Sequence, residues 1–128
     1  MNITGSKQFI LYKISRMEET NQGFKIDKQA AVQQLTESQQ QFVQLFSYGS
    51  LQIELYKPDK IDKQHPHSRD EVYVIVSGKA LFYNEGVIVE VKPNDCLHVP
   101  AFAEHRFFNF SDDFVTWVFF YGPEGGEQ

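Results

Sequence analysis

The sequence of 128 residues is poor in cysteine and has no long apolar run. Its only cysteine is Cys96, which excludes an intramolecular disulfide and a cysteine-rich metal site. The apolar stretch at residues 9–12 ends at Lys13, without the longer hydrophobic region of a signal peptide, and no stretch approaches a membrane span. We therefore expect a cytoplasmic protein with no membrane partner.

An excess of positive charge is also missing. Lys and Arg together number 12 against 17 Asp and Glu, which gives a formal net charge of -5. Nucleic-acid-binding domains usually present a basic surface, so we expect no nucleic-acid partner. Hydrophobic residues make up 41% of the chain, which is enough apolar material for one folded core.

Aromatic residues, in contrast, are abundant and crowd into the second half of the chain. The 12 Phe, 6 Tyr and single Trp amount to 15% of the sequence, and such residues favour pleated, half-buried surfaces. Residues 51–56 alternate between aliphatic and more polar side chains, which is the period of a half-buried strand. Similar short runs, separated by turn residues, lie at 72–76, 80–83, 87–91, 97–99, 106–110 and 114–121. Many short strands without intervening helices predict an all-β sandwich or barrel.

The N-terminal part is organised differently. Residues 26–36 lack Gly and Pro and contain a potential N-cap, Asp27, so we expect a short helix there. The predicted organisation is a single domain, in which an N-terminal helical or extended segment (1–40) precedes a β-barrel (41–122) and a C-terminal tail (123–128). Because the strands at 72–76 and 114–121 are apolar on both faces, we also expect a homodimer that covers the outer face.

Four residues form a potential metal-binding set. His65, His67 and Glu71 share one parity, so in an extended segment their side chains face the same interior, and antiparallel packing can bring His105 opposite them. Three imidazoles and one carboxylate suit one divalent transition metal ion (Fe, Mn, Ni, Co or Zn). A site of this composition keeps a formal charge of about +1 and attracts anionic or chelating oxygen ligands. Taken singly, each residue is more often an ordinary polar side chain; the joint occurrence predicts the site.

These residues resemble the motifs of the cupin superfamily. The first cupin motif is His-x-His, three or four residues, Glu, six residues and Gly, and the second contains Pro, His and Asn at fixed spacing. Matching positions are His65, His67, Glu71, Gly78, Pro100, His105 and Asn109. Asp59, Asn94 and Phe102 stand where the family usually has Gly. The resemblance implies a jelly-roll barrel that holds a metal ion through the four ligand positions. It implies no single reaction, because metal cupins include dioxygenases, decarboxylases, isomerases and plain binding proteins.

Inside such a barrel we expect a small-molecule pocket lined by Tyr73, Ile75, Phe102, Phe107 and Asn109. Tyr73 is the one candidate for a catalytic group, as a donor to a bound oxygen, and the sequence identifies no general acid or base besides the metal ligands. Arg69 and Arg106 are expected to be solvated surface residues.

Three functional hypotheses follow from the sequence. The leading one is a metal-dependent, dioxygenase-like enzyme that acts on a small oxygen-rich, carboxylate or aromatic metabolite. The alternative is a non-catalytic small-molecule-binding or sensor protein, in which the metal is structural or anchors the ligand. A third is a metal-free barrel in which the four residues form a polar network. The native metal, the substrate and the role of residues 1–24 are open at this stage.

Overall fold

The computed structural model describes residues 24–128. The apolar stretch at 9–12 and most of the predicted N-terminal segment lie outside these residues. The described residues fall into two units, 24–39 and 40–128, and the strands among them all belong to the second. Among the described residues, no helix has the length and hydropathy needed to cross a membrane.

Helix α1 (Lys28–Ser38) is the short helix that the sequence predicts. It begins after Asp27, whose carboxylate accepts a hydrogen bond from the N–H of Ala30 at 2.9 Å, as expected of an N-cap. It ends at Gln39, which has a left-handed conformation (φ 57°) and donates its N–H to the carbonyl of Thr36. The N-cap therefore fixes the start of the helix close to the predicted position.

Among residues 24–128, eight strands form two antiparallel sheets. The strands are β1 (Phe42–Tyr48), β2 (Leu51–Tyr56), β3 (Asp70–Ser77), β4 (Ala80–Asn84), β5 (Val87–Val91), β6 (Cys96–Val99), β7 (His105–Phe108) and β8 (Val115–Tyr121). One sheet has the order β1-β2-β8-β3-β6 and the other has the order β5-β4-β7. This architecture confirms the predicted all-β jelly-roll.

The turn between β5 and β6 shows how the chain replaces a glycine. Asn94 has φ 74°, a left-handed conformation that Asn tolerates better than most residues. Its N–H donates to the carbonyl of Ile75 at 2.9 Å, and the neighbouring Asp95 carboxylate accepts the N–H of Lys92 at 3.0 Å. Asn94 thus preserves the turn and links it to β3.

The strand register determines which side chains share the barrel interior. Gln52, Phe120 and Glu71 lie directly opposite one another across β2, β8 and β3. The next inward row contains Glu54, Val118 and Tyr73. Directly paired residues of antiparallel strands point to the same face, so β2 presents polar side chains toward Glu71 and Tyr73. The apolar core includes Tyr73, Phe82, Phe107 and Phe114.

Candidate metal centre

Three of the four predicted ligands come together. His67, Glu71 and His105 each offer a ligand atom, and these atoms all lie within 4.8 Å of one another. Glu71 stands on β3 and His105 begins β7, and their exposed fractions are 0% and 3%. His67 lies in the irregular segment before β3 and is half-buried. The antiparallel barrel therefore positions a carboxylate and two imidazoles as one group.

The contact between Glu71 and His105 joins two electron-pair donors. Glu71 Oε1 lies 2.9 Å from His105 Nε2, and Glu71 Oε2 lies 4.0 Å from His67 Nε2. His105 Nδ1 donates to the carbonyl oxygen of Ala103 at 2.9 Å, so Nε2 carries the lone pair in the neutral ring. Both Glu71 oxygens are buried without a hydrogen-bond partner among the described residues. The lone pairs of Glu71 Oε1 and His105 Nε2 repel each other at this distance, and a proton or a cation between the two atoms would remove the repulsion.

A divalent transition metal ion fits this group. Adjacent ligand atoms on an octahedral ion lie about 3 Å apart when each bond is about 2.1 Å long. The 2.9 Å separation of Glu71 Oε1 and His105 Nε2 matches this distance. Two histidines and one carboxylate form the ligand set of non-haem Fe(II) oxygenases and of several catalytic zinc sites. The donor atoms thus suit a transition metal, and they do not single out one element.

The two histidines have pKa values shifted in opposite directions. Burial lowers the pKa of His67, although the Glu71 carboxylate opposes the effect. Burial also acts to lower the pKa of His105, but the Glu71 carboxylate and the Ala103 carbonyl outweigh it and raise the pKa overall. His67 is therefore readily available as a neutral ligand. A metal ion that binds His105 has to compete with a proton for the ring nitrogen, because only the neutral imidazole is a ligand.

His65 lies outside the group, and its predicted inward orientation is wrong. Residues 62–67 form irregular backbone and residues 68–69 form a bend, so the extended alternation does not reach back to His65, which is exposed. Gln64 points into the site instead. Its Oε1 accepts the hydroxyl of Tyr73 at 2.9 Å and lies 3.4 Å from His67 Nε2.

Asp62 holds this irregular segment in place. Its Oδ1 accepts the Tyr56 hydroxyl at 2.7 Å and the Gln64 N–H at 3.0 Å. Its Oδ2 accepts the Phe107 N–H at 2.8 Å and the Gln64 side-chain amide at 3.0 Å. These bonds join the segment to β2 and β7. Sequence reasoning missed Asp62 and Gln64, because their role depends on partners that only the folded barrel brings close.

The predicted pocket residues divide into two groups. Tyr73, Ile75 and Phe107 are inside the barrel with exposed fractions of 0%, 1% and 1%, and the Tyr73 hydroxyl lies 3.1 Å from His105 Nε2. Phe102 is 62% exposed and Asn109 is also exposed, so the prediction that these two line the pocket is wrong. Both occupy left-handed turns, with φ 68° and 49°, where the backbone directs their side chains toward solvent.

An open cleft of about 860 Å³ lies beside His67. Its lining includes the polar β2 residues Gln52, Glu54 and Tyr56, the segment residues Lys63, Gln64, His65, His67, Ser68 and Arg69, and the apolar Val118 and Phe120. Burial, and then the charge of Glu71, raises the pKa of Glu54.

Arg69 lines this cleft, and hydrogen bonds hold its guanidinium group in place. It donates to the carbonyls of Gly122 and Ser50 and to the side chain of Gln52. The prediction of a solvated surface residue is therefore wrong. Arg69 lies in the bend before β3, where side chains do not alternate as in a strand, so the sequence pattern could not locate it.

Comparisons with known proteins agree with the fold. The family model of the cupin domain matches residues 52–121. An uncharacterized protein of Streptomyces coelicolor is 33% identical over 85 residues, which cover 65% of this chain and 81% of that protein. The acireductone dioxygenase of Bacillus thuringiensis is 43% identical over 56 residues, which cover 40% of this chain and 32% of the enzyme, so the chain spans about a third of that relative.

A solved structure supports the fold independently. The cupin superfamily protein of Desulfitobacterium hafniense superposes with a TM-score of 0.54 at 21% identity, over 64% of this chain and 76% of that chain. At this identity the likeness concerns the fold alone. The match to the family model, which covers more than half of the chain, and the jelly-roll barrel establish that the protein belongs to the cupin superfamily.

Proposed function

We propose that this cupin is a metal-dependent, dioxygenase-like enzyme that acts on a small oxygen-rich or carboxylate-bearing metabolite. The observation that carries the proposal is the buried Glu71 carboxylate, which lacks a hydrogen-bond partner among the described residues and faces His105 Nε2 at 2.9 Å. A carboxylate buried in this way calls for a compensating cation. The similarity to acireductone dioxygenase over 56 residues supports the choice of reaction class.

His67, Glu71 and His105 would hold the ion, which is Fe, Mn, Ni, Co or Zn in this proposal. His65 is the candidate for a fourth ligand, and its side chain would have to rotate inward from its exposed position. When bound, such an ion supplies Lewis-acid chemistry and, in the case of iron or manganese, one-electron redox chemistry.

The surrounding residues would position the substrate and move protons. The Tyr73 hydroxyl, held between Gln64 and His105, can donate to a substrate oxygen near the metal ligands. Glu54 lines the cleft, where its carboxylate can act as a proton acceptor for a bound substrate. Sequence reasoning named no such group. Val118 and Phe120 provide the apolar wall that excludes water from bound carbon atoms.

The alternative is a non-catalytic binding or sensor cupin in which the metal anchors a ligand. The open cleft of about 860 Å³ also suits this function, because its size is in the range of small-molecule sites in general. Catalysis is the better proposal because the Glu54 carboxylate in the cleft and the Tyr73 hydroxyl next to His105 add a proton acceptor and a hydrogen-bond donor to the three potential ligands.

Oxygen consumption separates the two functions. Protein loaded with Fe(II) would be incubated with a panel of catechols, hydroxyketones and β-diketones in an oxygen-electrode cell. We expect uptake with at least one compound, loss of this uptake in Glu71→Gln, and unchanged uptake in the exposed-carboxylate control Glu90→Gln. If no compound of the panel causes oxygen uptake while calorimetry detects ligand binding, the result would contradict catalysis and favour the sensor.

The predicted homodimer also stays a proposal. The sequence predicts a dimer because β3 and β8 are apolar on both faces. In the structure most residues of these two strands are buried or half-buried, so they leave little apolar surface for a partner to cover. An exposed apolar stretch lies instead on the edge strand β5, where Val87, Ile88 and Val89 are 62%, 57% and 41% exposed. Light scattering should give a dimer at micromolar concentration, and a monomer would refute it.

A further inference from the structure

Arg69 brings a positive charge to the cleft, and no carboxylate among residues 24–128 forms an ion pair with it. Its Nε donates to the Gly122 carbonyl at 3.1 Å, one terminal nitrogen donates to Gln52 Oε1 at 3.3 Å, and the other donates to the Ser50 carbonyl. All three acceptors are neutral, and none of the ion pairs among the described residues includes Arg69. A guanidinium has five N–H groups, so two of them have no acceptor in these contacts.

Gln52 extends this donor group. Because its Oε1 accepts from Arg69, its amide nitrogen is left with two N–H groups for another acceptor. Both side chains line the cleft that also contains His67. An Arg fork beside an amide N–H is a donor arrangement that matches the two oxygens of a carboxylate.

The distance from this pair to the metal cluster is short. Gln52 is opposite Phe120, which is opposite Glu71, and all three face the interior. Neighbouring strands are about 4.8 Å apart, so the backbones of Gln52 and Glu71 are separated by about 10 Å. Inward-pointing side chains shorten the gap further. A ligand with a few carbon atoms can therefore contact both ends, with its carbon chain against Phe120.

Two carboxylates also line the cleft, those of Glu54 and Glu124, and neither forms an ion pair with Arg69. Glu124 lines the rim, and its carboxylate accepts the hydroxyl of Ser68. Glu54 lies on the next inward row of β2, where burial and the charge of Glu71 raise its pKa. Arg69 is therefore available to an anionic ligand, and Lys63 is the other cation in the lining, with an exposed side chain.

We propose that Arg69 and Gln52 form a carboxylate-binding subsite, so the ligand of this cupin carries a carboxylate a few carbons away from a chelating pair of oxygens. The chelating end rests on the metal site of the proposed function. The subsite itself depends only on Arg69, Gln52 and the shape of the cleft.

Calorimetry with a matched pair of probes tests the subsite. The probes are 4,6-dioxoheptanoate, which has a β-diketone and a carboxylate, and its methyl ester, which keeps the diketone without the charge. The metal-loaded full chain should bind the acid about tenfold or more tightly than the ester, as one charge-assisted contact provides. Arg69→Gln should abolish this preference, and Gln52→Met should reduce it while leaving Arg69 present. The control Lys63→Gln, which removes an exposed charge at the rim, should retain it.

The outcomes separate the subsite from the metal site. Metal content and circular dichroism are measured on the same samples, and Gln52→Met carries the test if Arg69→Gln does not fold. Equal affinities of acid and ester in the metal-loaded wild type would overturn the subsite alone, as would an equal loss in Lys63→Gln. A wild type that takes up no metal would overturn the proposed function. In that case glutarate, which has no diketone, tests the subsite alone. Glutarate binding that is lost in Arg69→Gln would support the subsite, and no glutarate binding in the wild type would overturn the subsite.

Discussion

The substitution Asp62→Asn should destabilise the protein strongly although it changes few atoms. Each oxygen of the Asp62 carboxylate accepts two hydrogen bonds. Oδ1 accepts from the Tyr56 hydroxyl and the Gln64 N–H, and Oδ2 accepts from the Phe107 N–H and the Gln64 side-chain amide. Asn has one carbonyl oxygen and one NH2 group. Two of the four donor groups would therefore face the NH2 group of Asn instead of an acceptor. The residue at this position is only 8% exposed, so water cannot readily replace the lost bonds.

The expected cost follows from these contacts. A hydrogen bond to a charged group contributes about 1.5–3 kcal/mol, so losing two of them lowers the free energy of unfolding by about 3–6 kcal/mol. With a urea dependence of about 1–3 kcal/mol per molar, the unfolding midpoint should fall by roughly 1–6 M. Urea titration followed by circular dichroism measures this shift. Asp59→Asn is the control, because Asp59 is exposed and a surface change costs at most about 0.5 kcal/mol.

A second readout concerns the site. Asp62 fixes Gln64, and Gln64 contacts both Tyr73 and His67. Residues that orient metal ligands typically contribute 10- to 100-fold to metal affinity, so Asp62→Asn should weaken metal binding by about this factor. A destabilisation below about 1 kcal/mol, or equal effects of Asp62→Asn and Asp59→Asn, would refute the role assigned to Asp62.

Two further predictions concern turns away from the site. A Cβ at Gly78 (φ +78°) would lie 2.6 Å from Phe114 Cα, whereas one at Gly86 (φ +88°) meets nothing within 4 Å. Gly78→Ala should therefore lower the free energy of unfolding by about 2–4 kcal/mol and Gly86→Ala by about 1–2 kcal/mol in urea titrations, and equal costs would contradict the close packing. Hydrogen bonds from the Lys92 side chain and backbone hold the pKa of Asp95 below its usual range. The stabilisation from this shift is present above pH about 4, near the unfolded pKa, and is lost as the pH falls through the folded pKa. Carbon NMR should show Asp95 titrating below pH about 3.9, and a midpoint at or above this value would be inconsistent with the contacts.

The positions of the strands were predictable from local sequence because each strand carries its own signal. The runs at 72–76, 87–91 and 114–121 fall on β3, β5 and β8, since β-branched and aromatic residues favour a pleated, half-buried backbone. The left-handed turn at Asn94 was predictable for the same reason, because this preference belongs to the residue itself.

The site was predictable only where the backbone is regular. Glu71 lies within β3 and His105 begins β7, and their side chains meet His67 as the motif spacing suggests. Gln64 points into the site and His65 is exposed, because residues 62–67 are not extended. Side chains in this segment therefore do not alternate between two faces. The path of this segment depends on Asp62 contacting Phe107, which is distant in sequence. Such a contact leaves no local pattern.

Metal content is the most direct test of the metal site. Protein purified without chelators or a histidine tag would be measured by elemental mass spectrometry, next to Glu71→Gln, His105→Ala and the control His98→Ala. His98 is exposed and lies outside the cluster, so its loss should not affect binding. We predict a near-stoichiometric divalent transition metal in the wild type and in His98→Ala, and its loss in the other two variants. No metal in any protein, even after ions are added back, would contradict the metal site at His67, Glu71 and His105.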